Sequence, residues 1–188
     1  MWEAVMIEID EELTNVSRTY LPEWSECSDV AAGGGDKGIT ASCFDNPRAT
    51  MHFEDAFGYF LRNFGGDEDE VDGEEDNEDE LFDVIIMDTL DPDDFGDFVD
   101  VLHNDTAFIE SLYDGLAENG VFVVQLGSSP ERANPPDESS HFYNGANMLR
   151  ELENACFENI HAYNESHCHF YTLWQLMVAF KDGAQSRL

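Results

Sequence analysis

One short apolar stretch limits the fold of this chain more than any other feature. Residues 82–92 have the sequence FDVIIMDTLDP, and Phe82–Met87 within it is rich in β-branched residues and free of glycine and proline. Such a run predicts a strand buried on both faces of a sheet. Two acids, Asp88 and Asp91, follow it on a loop stiffened by Pro92. Because open α/β sheets bind ligands beyond the carboxyl ends of their strands, this loop is a candidate site for a cation.

An ordinary structural role for the two acids explains this stretch as well. Asp favours turns and helix starts, so Asp88 and Asp91 are typical residues for the end of a strand. On this stretch alone the ordinary interpretation is preferred, and a functional assignment needs support from the rest of the chain.

The net charge of the chain indicates which classes of molecule it is able to bind. Its 188 residues include 42 acids and only 8 Lys and Arg, which gives a formal net charge of −34 at pH 7. A field of this sign repels nucleic acid and anionic membranes, and it attracts cations, basic partners or polyamines. No apolar run approaches the roughly 20 residues of a membrane span. We therefore expect no nucleic-acid or membrane partner, and one domain with a real core.

The N-terminus and the cysteines indicate a reducing compartment. Residues 1–13 contain no basic region before an apolar stretch and no cleavage signal. The four cysteines, at positions 27, 43, 156 and 168, show no paired spacing, which is typical of free thiols. These features predict a cytoplasmic protein.

Strand and helix patterns alternate along the chain, which predicts an α/β sheet with helices on both faces. The predicted strands cover residues 4–9, 49–54, 82–87, 121–126, 159–165 and 174–181. The predicted helices cover residues 11–20, 55–63, 105–116 and 141–157. We expect Asn104 or Asp105 to cap the third helix and Asn119-Gly120 to end it. The last two strands are expected to form an antiparallel pair.

Two further acids lie where predicted strands end. Glu8 ends the first strand, and an acid at such a place in a nucleotide-binding sheet commonly bonds a ribose hydroxyl. A solvated strand end is the simpler explanation for Glu8. Asp55 lies where the second strand gives way to a helix, so it is a candidate helix cap and a candidate acceptor from an adenine amino group.

Three segments predict no regular structure within a domain that we place at residues 1–182. Residues 23–46 are rich in Gly, Ser and Ala, but no strand precedes their glycine cluster and no helix pattern follows, which argues against a phosphate loop. Residues 65–80 contain eleven acids among sixteen residues and are expected to be a flexible insertion. Residues 183–188 are expected to form a loose tail.

The triplet His167-Cys168-His169 resembles a metal cluster, since alternate residues of a strand share a face. No third and fourth ligand lies at a recognisable spacing, so a polar turn lining a site is the preferred interpretation and no metal is expected.

Four stretches, in the same order and spacing, resemble the polyamine synthase family of aminopropyltransferases, which comprises spermidine, spermine and thermospermine synthases. They are VMIEIDEEL at residues 5–13, FDNPRATMHFEDAFGYF at 44–60, FDVIIMDTLDP at 82–92 and NGVFVVQLG at 119–127. The resemblance covers most of residues 4–181 apart from the two insertions. The TLDP form of the loop, together with Trp174, is slightly closer to the thermospermine branch.

The resemblance implies a Rossmann-like sheet of the methyltransferase type and a specific reaction. An aminopropyl group moves from decarboxylated S-adenosylmethionine, a co-substrate, to putrescine or spermidine, without a prosthetic group. The residue-by-residue match implies Glu8 for the ribose, Asp55 and its neighbour Ala56 for the adenine, Asp88 as the base, and Asp91 for the amine and the amino end of the donor. Phe170 and Tyr171 offer apolar surface for the methylenes of the amine.

The chain departs from the family pattern before its first strand. The glycine-rich nucleotide loop of the family, with the strand before it, and the small N-terminal β domain have no match here. We therefore expect an incomplete sheet whose first strand is missing between residues 4–9 and 82–87, weak or no turnover, and strand edges that favour self-association. A non-catalytic relative that binds a partner or polyamine, and an S-adenosylmethionine-dependent methyltransferase, stay open as alternatives.

Overall fold

The computed structural model describes residues 3–21, 44, 46–66, 81–89, 97–129, 143–165 and 173–182. The chain forms two compact units, Met1–Tyr59 and Phe60–Leu188, and the boundary between them falls inside one helix. No helix in these described ranges is long and apolar enough to cross a membrane.

The first unit contains a two-stranded parallel sheet. Strand β1 (Ala4–Ile7) pairs with β2 (Ala49–His52), and helix α1 (Glu11–Tyr20) lies between them in the sequence. The helix begins after Asp10, whose carboxylate accepts a hydrogen bond from the Leu13 N–H at 3.1 Å. Helix α2 (Ala56–Phe64) follows β2 and crosses the boundary between the units.

The apolar stripe of α1 is exposed rather than packed. Leu13 and Val16 retain 54% and 52% of their accessible surface, Tyr20 retains 73%, and Thr14 is the buried residue of the helix. The helical spacing was therefore a correct guide to the element, although its apolar side chains are not in a core.

The second unit is built on a four-stranded mixed sheet. Its strands are β3 (Phe82–Met87), β4 (Leu116–Ser128), β5 (Glu158–Glu165) and β6 (Trp174–Phe180), in the order β3-β4-β6-β5. Strands β3 and β4 are parallel, and β6 is antiparallel to both of its neighbours. The antiparallel pairing of the last two strands confirms the sequence prediction.

Three helices accompany this sheet and share its core. They are α3 (Asp97–Asn104), α4 (Thr106–Asp114) and α5 (Tyr143–Asn154), and α4 packs on β4. The side chains of the core come from the helices and from alternate strand positions, which therefore lie on one face of the sheet. Those buried to at least 98% include Phe108, Ile109, Leu112, Leu116, Phe122, Val124, Met148, Leu152 and Ala179.

Strand β3 is not buried on both faces, so that prediction was wrong. Ile85 and Met87 are 8% and 6% exposed, whereas Val84 and Ile86 are 52% and 70% exposed. Ile85 lies beside the buried Phe122 of β4, on the face that packs against the core. The apolar run therefore reflects a strand with one packed face and one open face.

The end of α4 also differs from the prediction. The helix ends at Asp114, and the N–H of Gly115 donates to the carbonyl of Ser111 at 3.0 Å. Strand β4 then begins at Leu116, so Asn119-Gly120 lies within a strand rather than at a helix end. The register with β3 shifts here, and a Cβ on Gly120 would lie 2.8 Å from the carbonyl oxygen of Ala117. The Asn-Gly pair therefore lies in a tight β-bulge, and only glycine fits at position 120.

Candidate functional site

Asp88 directly follows β3 at the carboxyl end of the parallel pair β3–β4. The last pair of that ladder is Met87 with Val124, and Asp88 lies one residue beyond it with an exposed side chain. Within the described ranges its carboxylate has no hydrogen-bond or ion-pair partner. An exposed carboxylate at this position is able to meet a cation or to accept a proton. Asp91, three residues further on, lies outside the described residues.

Glu8 lies at the carboxyl end of β1 and is held by its own backbone neighbours. Its N–H continues the β1–β2 ladder by donating to the carbonyl of His52 at 2.9 Å. Its Oε1 accepts a hydrogen bond from the N–H of Asp10 at 2.8 Å, just before Asp10 caps α1. The turn into α1 therefore fixes one oxygen of the Glu8 carboxylate.

Asp55 caps helix α2 with both of its carboxylate oxygens. Oδ1 accepts from the N–H of Phe57 at 3.1 Å, and Oδ2 accepts from the N–H of Gly58 at 3.0 Å. These bonds satisfy backbone donors that have no partner inside the helix, and the negative charge faces the positive end of the helix dipole. The capping role of Asp55 is thereby seen directly, and Ala56 is the first residue of the helix.

Glu8 and Asp55 share one edge of a sheet. Strands β1 and β2 are parallel with Ile7 beside His52, so the residues that follow them emerge from the same end. Asp88 emerges from the carboxyl end of β3 in the second unit. A single cleft lined by all of these acids remains a prediction, and Phe170 and Tyr171 lie outside the described residues.

Gln125 is a polar residue of this region that the sequence interpretation missed. It lies in the apolar run of β4 and is only 6% exposed. Its Nε2 donates to the carbonyl of Thr89 at 3.3 Å, and its Oε1 accepts from the N–H of Gly127 at 2.9 Å. A single amide inside the run VFVVQLG was the available signal.

A cavity of about 760 Å³ lies elsewhere in the second unit. Leu61, Gly65 and Gly66 from the end of α2, residues of α4, and Cys156 just after α5 line it. None of the predicted site residues contributes to its wall. The part of the chain that the structure describes holds no group of three or more His, Cys, Asp or Glu that could bind a metal ion, and His167-Cys168-His169 lies outside that part.

The fold defines a class of proteins, namely the Rossmann-like folds of spermidine synthases and methyltransferases. Spermidine synthase from Thermotoga maritima superposes with a TM-score of 0.58 at 20% identity, over 96% of this chain and 45% of that one. A structure from Klebsiella pneumoniae assigned to the O-methyltransferases gives 0.54 at 11% identity, over 95% of this chain and 61% of that one. The predicted fold class is confirmed.

The amino-acid sequence then identifies the family. The model of the spermine/spermidine synthase domain matches residues 1–134, and the chain belongs to this family. It is 32% identical to polyamine aminopropyltransferase 1 of Hyperthermus butylicus over 124 residues, which are 66% of this chain and 32% of that protein. It is 25% identical to polyamine aminopropyltransferase of Aeropyrum pernix over 179 residues, which are 95% and 44%. The chain spans less than half the length of these relatives.

Proposed function

We propose that the chain carries the acids of a polyamine aminopropyltransferase site, which transfers an aminopropyl group from decarboxylated S-adenosylmethionine to putrescine or spermidine. The observation that carries the proposal is the exposed carboxylate of Asp88 at the carboxyl end of β3, in a chain of the spermine/spermidine synthase family. The net charge of −34 favours a polycationic acceptor over any anionic one. An exposed free thiol at Cys156 fits a cytoplasmic protein.

Asp88 acts as the base in this proposal. An alkylamine has a pKa near that of lysine, about 10.4, so it is mostly protonated at neutral pH and cannot attack. Asp88 accepts one proton from the ammonium, and the freed nitrogen lone pair forms a bond to the methylene beside the sulfonium. The carbon–sulfur bond breaks, and methylthioadenosine leaves with the electron pair on its sulfur. Since the sulfonium is already activated, positioning of the two substrates supplies much of the remaining rate.

Glu8 and Asp55 hold the nucleoside of the donor in this proposal. A carboxylate oxygen has two lone-pair sites, so Asp55 is able to cap α2 and to accept from an adenine amino group at the same time. Oε1 of Glu8 is fixed by the N–H of Asp10, which leaves the carboxylate oriented for ribose hydroxyls. Asp91 contributes to the amine site, with apolar surface from Phe170 and Tyr171. No prosthetic group takes part.

Two other functions are favoured by particular observations. The net charge of −34 favours a non-catalytic relative that binds a polyamine or a basic protein partner as much as it favours an enzyme. The likeness to an O-methyltransferase fold favours methyl transfer from S-adenosylmethionine. A methyltransferase has no need to bind a polycation, however, so the pair of acids Asp88 and Asp91 argues against this function.

The products of one incubation series separate the three functions. The purified 188-residue chain is incubated with decarboxylated S-adenosylmethionine or S-adenosylmethionine, and with putrescine, spermidine, spermine or no amine. We expect slow release of methylthioadenosine that requires both the decarboxylated donor and an amine. S-adenosylhomocysteine as the product would show a methyltransferase. Amine binding by calorimetry without any product would show the non-catalytic relative, and either result would overturn the proposal.

A further inference from the structure

Gln125 occupies a buried position, where an amide lowers the stability of the fold unless it is hydrogen-bonded. It follows Val124, the partner of Met87 in the last pair of the parallel ladder, so it lies alongside Asp88 in the continued register. Burial of an amide without hydrogen bonds is unfavourable, and the surrounding run of β4 is otherwise apolar. The side chain is buried and bonded at both ends, which indicates a defined role in the local structure.

Two hydrogen bonds in the described part of the chain, to Thr89 and Gly127, fix the orientation of the Gln125 amide. The N–H of Gly127 is a donor, so it requires Oε1, and the carbonyl of Thr89 is an acceptor, so it requires Nε2. A flipped amide would face two like groups and lose both bonds. Gly127 has a φ of 65°, a conformation that favours glycine, and this turn presents its N–H to the amide.

We propose that Gln125 is a positioning residue that holds the backbone from which the Asp88 side chain projects. Beyond the pair of Met87 and Val124, the Gln125 amide ties the carbonyl of Thr89, the residue next to Asp88, to the turn at Gly127. The backbone on both sides of Asp88 is thereby anchored, on one side by β3 and on the other by this bridge. The inference rests on the proposed role of Asp88 as the base.

Substitutions that keep the size of the side chain test the bridge, by which we mean the hydrogen bonds that link Gln125 to Thr89 and Gly127. Gln125→Leu removes both hydrogen bonds at similar volume, and Gln125→Glu keeps an acceptor for the N–H of Gly127 but loses the donor to Thr89. Gln175→Leu is the matched control, because Gln175 lies on β6 and its Nε2 contacts Asn164 Oδ1 at 3.5 Å. The readouts are kcat and KM for the amine, and amide hydrogen exchange at Asp88 and Thr89.

We expect kcat to fall about 10- to 100-fold in both Gln125 variants, since a displacement of about 1 Å at a reacting group costs this much. KM for the amine should change less than kcat, and exchange at Asp88 and Thr89 should rise, with Gln175→Leu unchanged. Unchanged exchange in Gln125→Leu would overturn the inference, as would faster exchange with an unchanged kcat, because the bridge would then be structural only.

The two proposals fail in different ways. Absence of turnover in the wild-type chain counts against the proposed function, whereas exchange at Asp88 and Thr89 reports on the bridge without any turnover. In that case, we expect Gln125→Leu to weaken spermidine binding in calorimetry and Gln175→Leu to leave it unchanged. Equal spermidine binding by the two variants would overturn the role of Gln125 in positioning Asp88.

Discussion

Each of the three described acids at strand ends is held differently by its neighbours. Asp55 has both oxygens on backbone N–H groups, Glu8 has one oxygen so fixed, and Asp88 has no partner within the described part of the chain. The number of fixed carboxylate oxygens in each acid matches its proposed role. A residue that orients a nucleoside benefits from fixed oxygens, whereas a base must keep its carboxylate available for a proton.

The cap at Asp55 can be separated from its proposed contact with adenine. We expect Asp55→Ala to lower the free energy of unfolding by about 1 kcal/mol, because the N–H groups of Phe57 and Gly58 lose their acceptor. Asp55→Asn should retain part of this stability, since its single amide oxygen still accepts from one of the two N–H groups, but it should weaken donor binding. Urea denaturation and calorimetry measure the two effects. A stability loss in Asp55→Asn as large as in Asp55→Ala would contradict this assignment.

Lys181 stabilises the junction between α4 and β4. Its Nζ donates to the carbonyls of Tyr113 and Leu116 at 2.8 and 2.7 Å and lies 4.6 Å from the centre of the Tyr113 ring. We expect Lys181→Met to lower the free energy of unfolding by about 1–3 kcal/mol, because these carbonyls lose a charged donor. Lys181→Arg is the matched control and should lose less. Equal stability of Lys181→Met and wild type in urea would show that the hydrogen bonds of Lys181 do not stabilise this junction.

The shifted pKa of Lys181 predicts that the free energy of unfolding depends on pH. Burial lowers the pKa of Lys181, partly offset by Asp114, and burial raises the pKa of Tyr113. As pH rises towards the ordinary lysine value of about 10.4, the folded state releases the Lys181 proton first, so this group adds stability with rising pH. Tyr113 has the opposite effect above its ordinary value, because the unfolded chain ionises first. The stability difference between wild type and Lys181→Met should therefore grow from pH 8 towards that value, and a shrinking difference would contradict it.

At the scale of elements, the same substitution should lower stability on one face of β3 and leave it almost unchanged on the other. Ile85 is 8% exposed beside Phe122, whereas the adjacent Ile86 is 70% exposed. We expect Ile85→Ala to lower the free energy of unfolding by about 2–5 kcal/mol through a core cavity, and Ile86→Ala to change it by less than about 0.5 kcal/mol. Chemical denaturation of the matched pair measures both. A comparable loss in Ile86→Ala would show that its side chain is covered in solution.

Elements with a clean period, and the antiparallel pairing of the last two strands, were predictable from the sequence, whereas the end of α4 was not. The spacing in α1 and the β-branched run of β3 identified both elements. Helix α3 was missed because its acids, aromatics and glycine neighbours form no clear period. The sequence at Asn119-Gly120 predicts a helix end, but the same pair also permits a bulge, and only the register with β3 distinguishes the two.

The candidate site was predictable to the same extent. The positions of Glu8, Asp55 and Asp88 at strand ends were predictable because acids there are visible in the sequence once the strands are assigned, and their roles stay predictions. Gln125 was not found because its partner, Thr89, lies 36 residues away and no local pattern connects the two. Burial of one face of β3 could not be foreseen either, since it depends on which elements pack against each side.

At the scale of the whole molecule, repulsion among the many acids opposes the folded state. Residues 67–80 contain eleven of the 42 acids and no apolar face to bury. We expect deletion of this segment to leave the melting temperature unchanged or raised, because removal of like charges relieves self-repulsion. The effect should shrink in high salt, where charges are screened. A marked loss of folding on deletion would show that the segment has a partner within the protein.

Self-association stays a prediction for the whole molecule, and the exposed apolar side chains favour it. The described strands form two separate sheets, and β1 and β3 each have one described neighbour. Unpaired strand edges and exposed residues such as Leu13 and Ile86 favour contact between copies, and the net charge of −34 opposes it. A strand between β1 and β3 stays a prediction from the family resemblance.

The rate of methylthioadenosine release by Asp88→Asn, compared with wild type, tests the central claim most directly. The control is Asp83→Asn, which removes another exposed acid of the same strand. A general base typically contributes about 100- to 10,000-fold, so we expect Asp88→Asn to lose at least about 100-fold in kcat while Asp83→Asn retains the wild-type rate. Equal rates in Asp88→Asn and wild type would contradict the assignment of Asp88 as the base.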